Sequence, residues 1–244
     1  MRRGQKGFIL AEMALAVVIA GTMLAAILPL VTQARRGQGQ TQTRATMELV
    51  TRAVAAYAAT HHCLPCPAVP GASGAAFGAL GTPAGQACGI CAGAEGLVPF
   101  QALGLPLAAA RDGWGVWLTM RVDPALTGDI CRDPAPKDAT ARVRVKDGGM
   151  QEAALVLLSH GANGYGAWIA GPKTAAQSAT RLGFPAQLAP CANGGDERCN
   201  ADGDRDFVDA DIALGNSRYD DVLSYWGRDI LLGYAGAPPC HTAW

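Results

Sequence analysis

The feature that most constrains this chain is an apolar stretch near its N-terminus, over residues 8–31. It follows a short leader that carries Arg2, Arg3 and Lys6 and ends at Gly7. At a rise of about 1.5 Å per residue, a helix over this stretch is roughly 36 Å long, which is enough to cross a hydrocarbon core of about 30 Å. The sequence therefore predicts one membrane-spanning helix, with the basic leader in the cytoplasm and the following residues on the opposite side.

One acidic residue, Glu12, lies near the start of this apolar stretch. A carboxylate costs about 2.5–3.5 kcal/mol at the centre of a bilayer and less near the interface, so a simple membrane anchor would omit it. A cleaved signal peptide is a poor fit, because the apolar region of such a peptide spans about 7–15 residues. Glu12 is therefore either a carboxylate that reaches the interface without a role or a functional residue.

Composition bounds the remainder of the chain. Its 244 residues suit one domain of moderate size plus an anchor, and its 20 basic residues balance its 20 acidic ones, so that no nucleic-acid partner is indicated. All eight cysteines lie beyond residue 60, on the predicted outer side of the membrane, where disulfides persist. The 31 glycines and 15 prolines favour a domain rich in turns and loops.

The start of the chain resembles the type IV pilin and pseudopilin class. In that class a basic leader ends in glycine, is cut before a phenylalanine, and is followed by a glutamate at the fifth mature position. The matching residues here are Gly7, Phe8 and Glu12, and Pro29 matches a proline that the class tends to carry. The resemblance implies cleavage between Gly7 and Phe8 by a prepilin peptidase, usually with N-methylation of Phe8.

The same resemblance implies an assembly role for this segment. After cleavage, the new Phe8 ammonium of one subunit would pair with the Glu12 carboxylate of a neighbour, so that both charges are compensated in an apolar bundle. Glu12 would then set the register of assembly, whereas Pro29 and Gly21 would favour local bending or unwinding of the helix. The implied partners are other pilin or pseudopilin subunits, the prepilin peptidase, the inner-membrane assembly platform and, before assembly, membrane lipid.

These patterns divide the chain into a leader at 1–7, a transmembrane and assembly helix at 8–31, an amphipathic continuation of that helix at 32–62, and an extracytoplasmic head at 63–244. The continuation carries apolar residues at three- and four-residue steps, which predicts one helical face packed against the head. These residues are Met47, Val50, Val54, Tyr57 and Ala58. The helix must end before Pro65.

Two C-x-x-C motifs follow the helix. They comprise Cys63, Cys66, Cys88 and Cys91. In a cytosolic protein this pattern indicates a zinc ribbon, with His61 and His62 as spare ligands, and redox chemistry is a further alternative. The oxidising compartment and the even number of cysteines favour disulfides instead, so we expect bridges that join one motif to the other.

Four further cysteines lie in the second half of the chain. Cys191 and Cys199 bracket a polar loop and are expected to pair locally. Cys131 and Cys240 are then left by subtraction, and a bridge between them would hold the C-terminal tail in place. Eight cysteines allow about 105 connectivities, so other pairings stay open.

Segments rich in aromatic and β-branched residues predict strands in the head at 114–122, 141–146, 153–159 and, more briefly, 166–170. The pairs Asp112-Gly113 and Gly148-Gly149 mark turns. Sequential strands with tight turns and no helical crossover favour an antiparallel sheet. We therefore predict an α+β fold, in which a long N-terminal helix packs on a loop-rich, disulfide-bonded head.

The Ser159-His160 pair suggests a hydrolase fragment, but neighbouring strand residues point to opposite faces and no G-x-S-x-G motif is present. The glycines that follow lack the Lys-Ser/Thr of a phosphate loop. We predict a glycine-rich turn in which Ser159 and Asn163 bind the backbone. Asp220 and Asp221 are expected at a turn or a helix N-terminus.

One acidic loop is a candidate calcium site, because oxygen side chains occur at five positions that match the spacing of a calcium-binding loop. These residues are Asn200, Asp202, Asp204, Asp206 and Asp211. Two departures are Arg205, where glycine is expected, and an aspartate rather than a glutamate at the last position. The alternative is a solvated acidic loop held by the Cys191–Cys199 bridge.

Short stretches at 64–67, 96–106 and 112–115 also resemble a narrower group of large minor-pilin-like proteins. The head is large for a repeating subunit, so we expect a minor or tip component of a type IV pilus or a secretion pseudopilus. We expect neither enzymatic activity nor a required cofactor, with Ca²⁺ as a possible ligand. The alternative is a membrane-anchored extracytoplasmic binding protein or enzyme whose first segment mimics a prepilin.

Overall fold

The computed structural model of the protein describes residues 10–72, 74–83, 86–128, 142–170, 179–186, 188, 190–191, 196–212 and 219–234. Gly7, Phe8, Cys131 and Cys240 lie outside these residues. The fold is α+β, as predicted, and the chain forms two compact units, Met1–Gln38 and Gly39–Trp244.

A single long helix, α1, spans Leu10–His61 and confirms the predicted N-terminal helix. Its most apolar stretch of 18 residues has a mean hydropathy of 2.5 and contains no buried residue. Among the described residues, α1 is the one helix that is long and apolar enough to cross a membrane. The helix is continuous through Gly21 and Pro29, so the unwinding expected there is not observed. It ends where His62 takes a left-handed conformation (φ 59°), a common helix terminus.

The second half of α1 carries the predicted apolar stripe. Met47, Val50, Val54, Tyr57 and Ala58 are all buried. They belong to or adjoin a core that also contains Leu97, Trp117, Leu118 and Met120. Burying such side chains contributes about 1.5–3 kcal/mol each, which explains why a stretch of only moderate helix propensity is held as a helix.

The described residues of the head contain nine short strands. They are β1 (Glu95–Leu97), β2 (Thr119–Val122), β3 (Val143–Lys146), β4 (Met150–Ala153), β5 (Leu155–Ser159), β6 (Trp168–Ala170), β7 (Ala179–Arg181), β8 (Asp206–Val208) and β9 (Val222–Trp226). The main sheet has the order β1-β2-β5-β9, and all of its pairs are antiparallel. Every residue of β5 is buried, which matches its position in the middle of the sheet.

Two smaller sheets complete the described part of the head. One pairs β6 with β7, and the other has the order β4-β3-β8. The antiparallel pairs confirm the predicted antiparallel sheet, whereas β3 and β8 of the latter sheet run parallel, a pair that the sequence did not predict. The parallel pair is possible because a long stretch of chain separates the two strands, whereas tight turns allow only antiparallel neighbours.

Several predicted strands are shorter in the structure. The strand predicted at 114–122 begins only at Thr119, because Asp112 accepts hydrogen bonds from the backbone N–H groups of Trp114 and Val116 and so forms a turn there. Trp117 forms only an isolated bridge with Arg111. The predicted strands at 153–159 and 166–170 likewise begin two residues late, at Leu155 and Trp168.

Three disulfides tie the described parts of the head together, and they confirm the predicted pairings. Two join the C-x-x-C motifs, as Cys63–Cys88 and Cys66–Cys91, and the third is Cys191–Cys199. Because the four sulfurs of the two motifs are bonded to one another, the zinc-ribbon alternative is wrong. Two further helices, α2 (Asp196–Cys199) and α3 (Arg228–Tyr234), lie in the C-terminal part. The bridges indicate an oxidising compartment and hence an extracytoplasmic head.

Candidate functional site

The first part of α1 is the larger of two candidate sites. Glu12 lies in its first turn and is exposed. The large apolar side chains that follow are exposed as well. They include Met13, Leu15, Val17, Val18, Ile19, Met23, Leu24, Ile27, Leu28 and Val31. Such a surface requires lipid or other apolar helices around it.

The polar side chains of this segment are adapted to an apolar environment. The hydroxyl of Thr22 donates to the carbonyl oxygen of Ile19 at 2.9 Å, and that of Thr32 donates to Pro29 at 2.8 Å. These bonds satisfy the hydroxyls within the helix itself, as a bilayer would require. Gly7 and Phe8 lie outside the described residues, so cleavage between them stays a prediction.

The predicted calcium loop has other partners for several of its oxygens. Asn200 is buried, and its Oδ1 accepts from the backbone N–H of Val208 at 2.8 Å. Its Nδ2 donates to the Val208 carbonyl at 3.0 Å and to Oδ2 of Asp221 at 2.8 Å. Asn200 therefore joins the two ends of the loop, and its side-chain oxygen is already occupied.

The aspartates of this loop form turns and an ion pair. Asp202 Oδ1 accepts from the backbone N–H of Asp204 at 3.0 Å, and Asp204 Oδ1 accepts from that of Asp206 at 2.7 Å. Asp206 lies in β8, where its Oδ1 accepts from Nε of Arg144 at 2.7 Å. Asp211 is exposed. Calcium binding here stays a prediction, and so does the alternative of a solvated acidic loop held by the Cys191–Cys199 bridge.

A second candidate site is a group of four side chains, three of them buried and Asp220 partly buried, which we call the acid cluster: His160, Glu197, Asp220 and Asp221. His160 follows β5, Glu197 lies in α2, and the two aspartates precede β9. One oxygen from each of the three carboxylates lies within 4.8 Å of the others. His160 has an exposed fraction of 0%, Glu197 of 1% and Asp221 of 4%. Titratable side chains are seldom so deeply buried without a specific partner.

Hydrogen bonds hold one oxygen of each carboxylate in place. The side-chain amide of Asn163 donates to Oε1 of Glu197 at 2.6 Å, and the backbone N–H of the same residue donates to Oδ2 of Asp220 at 3.1 Å. Asn200 binds Oδ2 of Asp221, as described above. The asparagines of two separate loops thus orient all three carboxylates.

The environment of the acid cluster disfavours the simultaneous ionisation of its three carboxyl groups. Burial raises the pKa of the Glu197 carboxyl from 4.5 to about 7. The hydrogen bond from Asn163 opposes this rise in pKa, whereas the carboxylates of Asp221 and Asp220 add to it. The raised pKa favours the protonated form of Glu197 unless a cation lies close by.

Ser159 does not form a catalytic pair with His160. Its hydroxyl donates to Oδ2 of Asp112 at 2.7 Å and accepts from the backbone N–H of Gly161 at 3.2 Å. Asn163 Oδ1 accepts from the N–H of Tyr165 at 2.7 Å, so both predicted backbone contacts are confirmed. Burial raises the pKa of Asp112 above its ordinary value, although its hydrogen bonds oppose that rise.

No sequence pattern links the members of the acid cluster. Glu197 belongs to a short helix beside a disulfide, and the sequence predicts Asp220 and Asp221 at a turn or a helix N-terminus. It suggests His160 only as a partner of Ser159. The one available signal is that His160 directly follows the wholly buried strand β5, a position where a polar residue requires a partner.

Comparison of the chain with protein-family models, with curated proteins and with solved structures finds no match. The resemblance to type IV pilins is carried by Gly7, Phe8, Glu12 and Pro29.

Proposed function

We propose that this protein is a structural subunit of a type IV pilus or a related secretion filament, in a minor or tip position. In this proposal a prepilin peptidase cleaves it before Phe8, and it joins the filament through α1. The observation that carries the proposal is the position of Glu12. It is the one carboxylate in the exposed apolar part of a helix that extends over 52 residues.

The energetics of an apolar bundle give Glu12 its role. Cleavage after Gly7 removes the charges of the leader and leaves an ammonium group on Phe8. The Glu12 carboxylate of one subunit then pairs with the Phe8 ammonium of its neighbour, which compensates two charges that are costly when isolated in hydrocarbon. Only one axial offset between neighbouring helices allows this pairing, so the pair selects the register of assembly.

Other features support the proposal. The exposed apolar side chains of α1 suit lipid before assembly and neighbouring helices afterwards. The disulfides suit a head that folds in the periplasm. The protein would therefore reside in the inner membrane, with its N-terminus in the cytoplasm, before it enters a filament.

The first test is the mature N-terminus of the protein from its native membrane. Mass spectrometry of the intact chain is expected to show a chain that begins at Phe8, with or without one methyl group. A chain that retains its leader would contradict the proposal and would favour a membrane-anchored binding protein or enzyme instead.

The second test compares two glutamates of α1 in cells that assemble the filament. Glu12→Gln is expected to leave membrane insertion intact and to lower the amount of protein in sheared filaments at least about 100-fold, because breaking a buried ion pair costs about 3–5 kcal/mol. Glu48→Gln is the matched control, since Glu48 is exposed on the same helix and pairs with Arg52. Equal incorporation of the Glu12→Gln and Glu48→Gln variants would refute the role of Glu12.

A further inference from the structure

The acid cluster places the buried carboxylates of Glu197 and Asp221 close together among the described residues around them. Among those residues, no lysine or arginine forms an ion pair with Glu197 or Asp221. The nearest cationic candidate is His160, whose Nδ1 lies 3.7 Å from Oδ1 of Asp221, too far for a hydrogen bond. Several carboxylates so close together repel one another unless a proton or a cation lies between them.

The second observation concerns the unsatisfied atoms of the cluster. His160 is completely buried, and neither of its ring nitrogens has a hydrogen-bond partner in the described part of the chain. Glu197 Oε2 and Asp221 Oδ1 are also buried without such a partner. Buried polar atoms normally find a partner, so a buried imidazole 3.7 Å from such an oxygen of Asp221 indicates that something else binds there.

We propose that His160, Glu197, Asp220 and Asp221 bind a divalent transition-metal ion, of which Zn²⁺ fits best. The four side chains provide one imidazole nitrogen and three carboxylate oxygens, and Zn²⁺ accepts both kinds of ligand in four-coordinate sites. Ca²⁺ fits less well, because it takes six to eight oxygen ligands and does not favour imidazole. This inference is independent of the proposed filament function.

The fold holds the four ligands in position before any ion arrives. Asn163 and Asn200 bind the outer oxygens of the carboxylates, which is the role that outer hydrogen-bond partners have in metal sites. Gly161 has a φ of 60°, and a Cβ there would lie 2.6 Å from Oδ1 of Asp220, so glycine allows this aspartate to approach. Asp221 also lines a cleft of about 700 Å³.

The bound ion would have a structural role. It would connect the end of β5, helix α2 and the segment before β9, which are distant in the sequence. It would also offset the repulsion between the three carboxylates. The ion should therefore raise the stability of the head, because it binds the folded chain and not the unfolded one.

The experiment uses the full chain in detergent, prepared without a polyhistidine tag and stripped of metal with EDTA. Elemental analysis after addition of ZnCl₂ and removal of excess ion is expected to find one Zn²⁺ per chain. At a free Zn²⁺ concentration of about 100 times Kd, the melting temperature should rise on the order of 5–10 °C. A wild-type chain that retains no Zn²⁺, or whose melting temperature does not rise, overturns the proposal without reference to any variant.

Variants locate the ion. Glu197→Gln and His160→Gln are expected to remove the rise in melting temperature and the retained Zn²⁺. The matched control is Asp211→Asn, which lies in the predicted calcium loop and is exposed; it should behave as the wild type does. Retention of Zn²⁺ by the Glu197→Gln variant, or its loss from the Asp211→Asn variant, overturns the assignment. A CaCl₂-dependent rise that persists in the His160→Gln variant overturns the imidazole ligand.

Discussion

The backbone N–H of Gly113 donates a hydrogen bond to Oγ1 of Thr43 at 2.9 Å, which joins helix α1 to the turn before β2. The Thr43 hydroxyl in turn donates to the carbonyl oxygen of Gly39 at 2.8 Å. The two backbones approach so closely that a Cβ on Gly113 would lie 2.2 Å from that same carbonyl oxygen. Thr43 is completely buried, so this contact is shielded from water.

The contact predicts that Thr43→Val destabilises the protein. Valine has the shape of threonine but leaves the Gly113 N–H buried without an acceptor, at a cost of about 1–3 kcal/mol. The matched control is Thr51→Val on the same face of α1, because Thr51 is equally buried and its hydroxyl only donates to the Met47 carbonyl. Chemical unfolding of the full chain in detergent, monitored by tryptophan fluorescence, measures the loss of unfolding free energy in each variant. Equal losses for the two variants would contradict the role of the Thr43–Gly113 bond.

The two bridges between the C-x-x-C motifs predict a non-additive effect on stability. Cys63–Cys88 and Cys66–Cys91 each span 25 residues and close nearly the same loop. When one bridge is removed by a pair of alanines, the other still restricts the unfolded chain, so each single removal is expected to cost at most about 2–4 kcal/mol. Removal of both should cost more than the sum of the two single losses.

The measurement for this prediction is the free energy of unfolding of the two pair variants and of the variant that lacks all four cysteines. The pair variant that lacks Cys191–Cys199 is the control, because that bridge closes a separate loop of eight residues. Its effect should add to that of either single removal within about 0.5 kcal/mol. Losses from the two C-x-x-C bridges that simply add would show that each restricts a different part of the unfolded chain.

Asp112 predicts a specific dependence of stability on pH. Burial raises its pKa, and the hydrogen bonds from Ser159, Val116 and Trp114 and the charge of His160 only partly offset this rise. A carboxyl whose pKa is raised on folding destabilises the folded state as the pH rises through and above its ordinary value of 3.8, where the unfolded chain ionises first. Asp112→Asn should therefore raise stability at neutral pH and have less effect at low pH.

The asparagine variant retains an oxygen that accepts from the N–H groups of Trp114 and Val116 but alters the bond to Ser159, so the pH dependence of the difference, and not its size at one pH, reports the buried charge. Urea unfolding midpoints of the wild type and of Asp112→Asn, measured across the acidic range up to neutral pH, should diverge as the pH rises. Asp229→Asn, an exposed aspartate in α3, is the control and should follow the wild type. If the urea midpoints of Asp112→Asn and of the wild type change with pH in parallel, Asp112 is excluded as the source of the pH dependence of stability.

The long helix and the disulfides were predictable because their signals are local or nearly so. The apolar run at 8–31 and the stripe from Met47 to Ala58 each specify a helix by periodicity and length alone. The C-x-x-C motifs and the Cys191/Cys199 pair were predicted from compartment and spacing, and three bridges confirm them. Strand starts were less predictable, since the hydrogen bonds of Asp112 delay β2 to Thr119.

By itself, the sequence determined the helix, its apolar part with Glu12, the α+β class and the joining of one C-x-x-C motif to the other, whereas the structure decided which cysteines pair. The tertiary structure alone decided that β8 pairs with β3 in parallel and that carboxylate oxygens of Glu197, Asp220 and Asp221 lie within 4.8 Å of one another beside His160. The physical reason is the distance along the chain over which each kind of interaction acts. Periodicity and turn chemistry act between near neighbours in the chain, whereas the acid cluster arises where three distant segments pack together and exclude water from charges that no local pattern links.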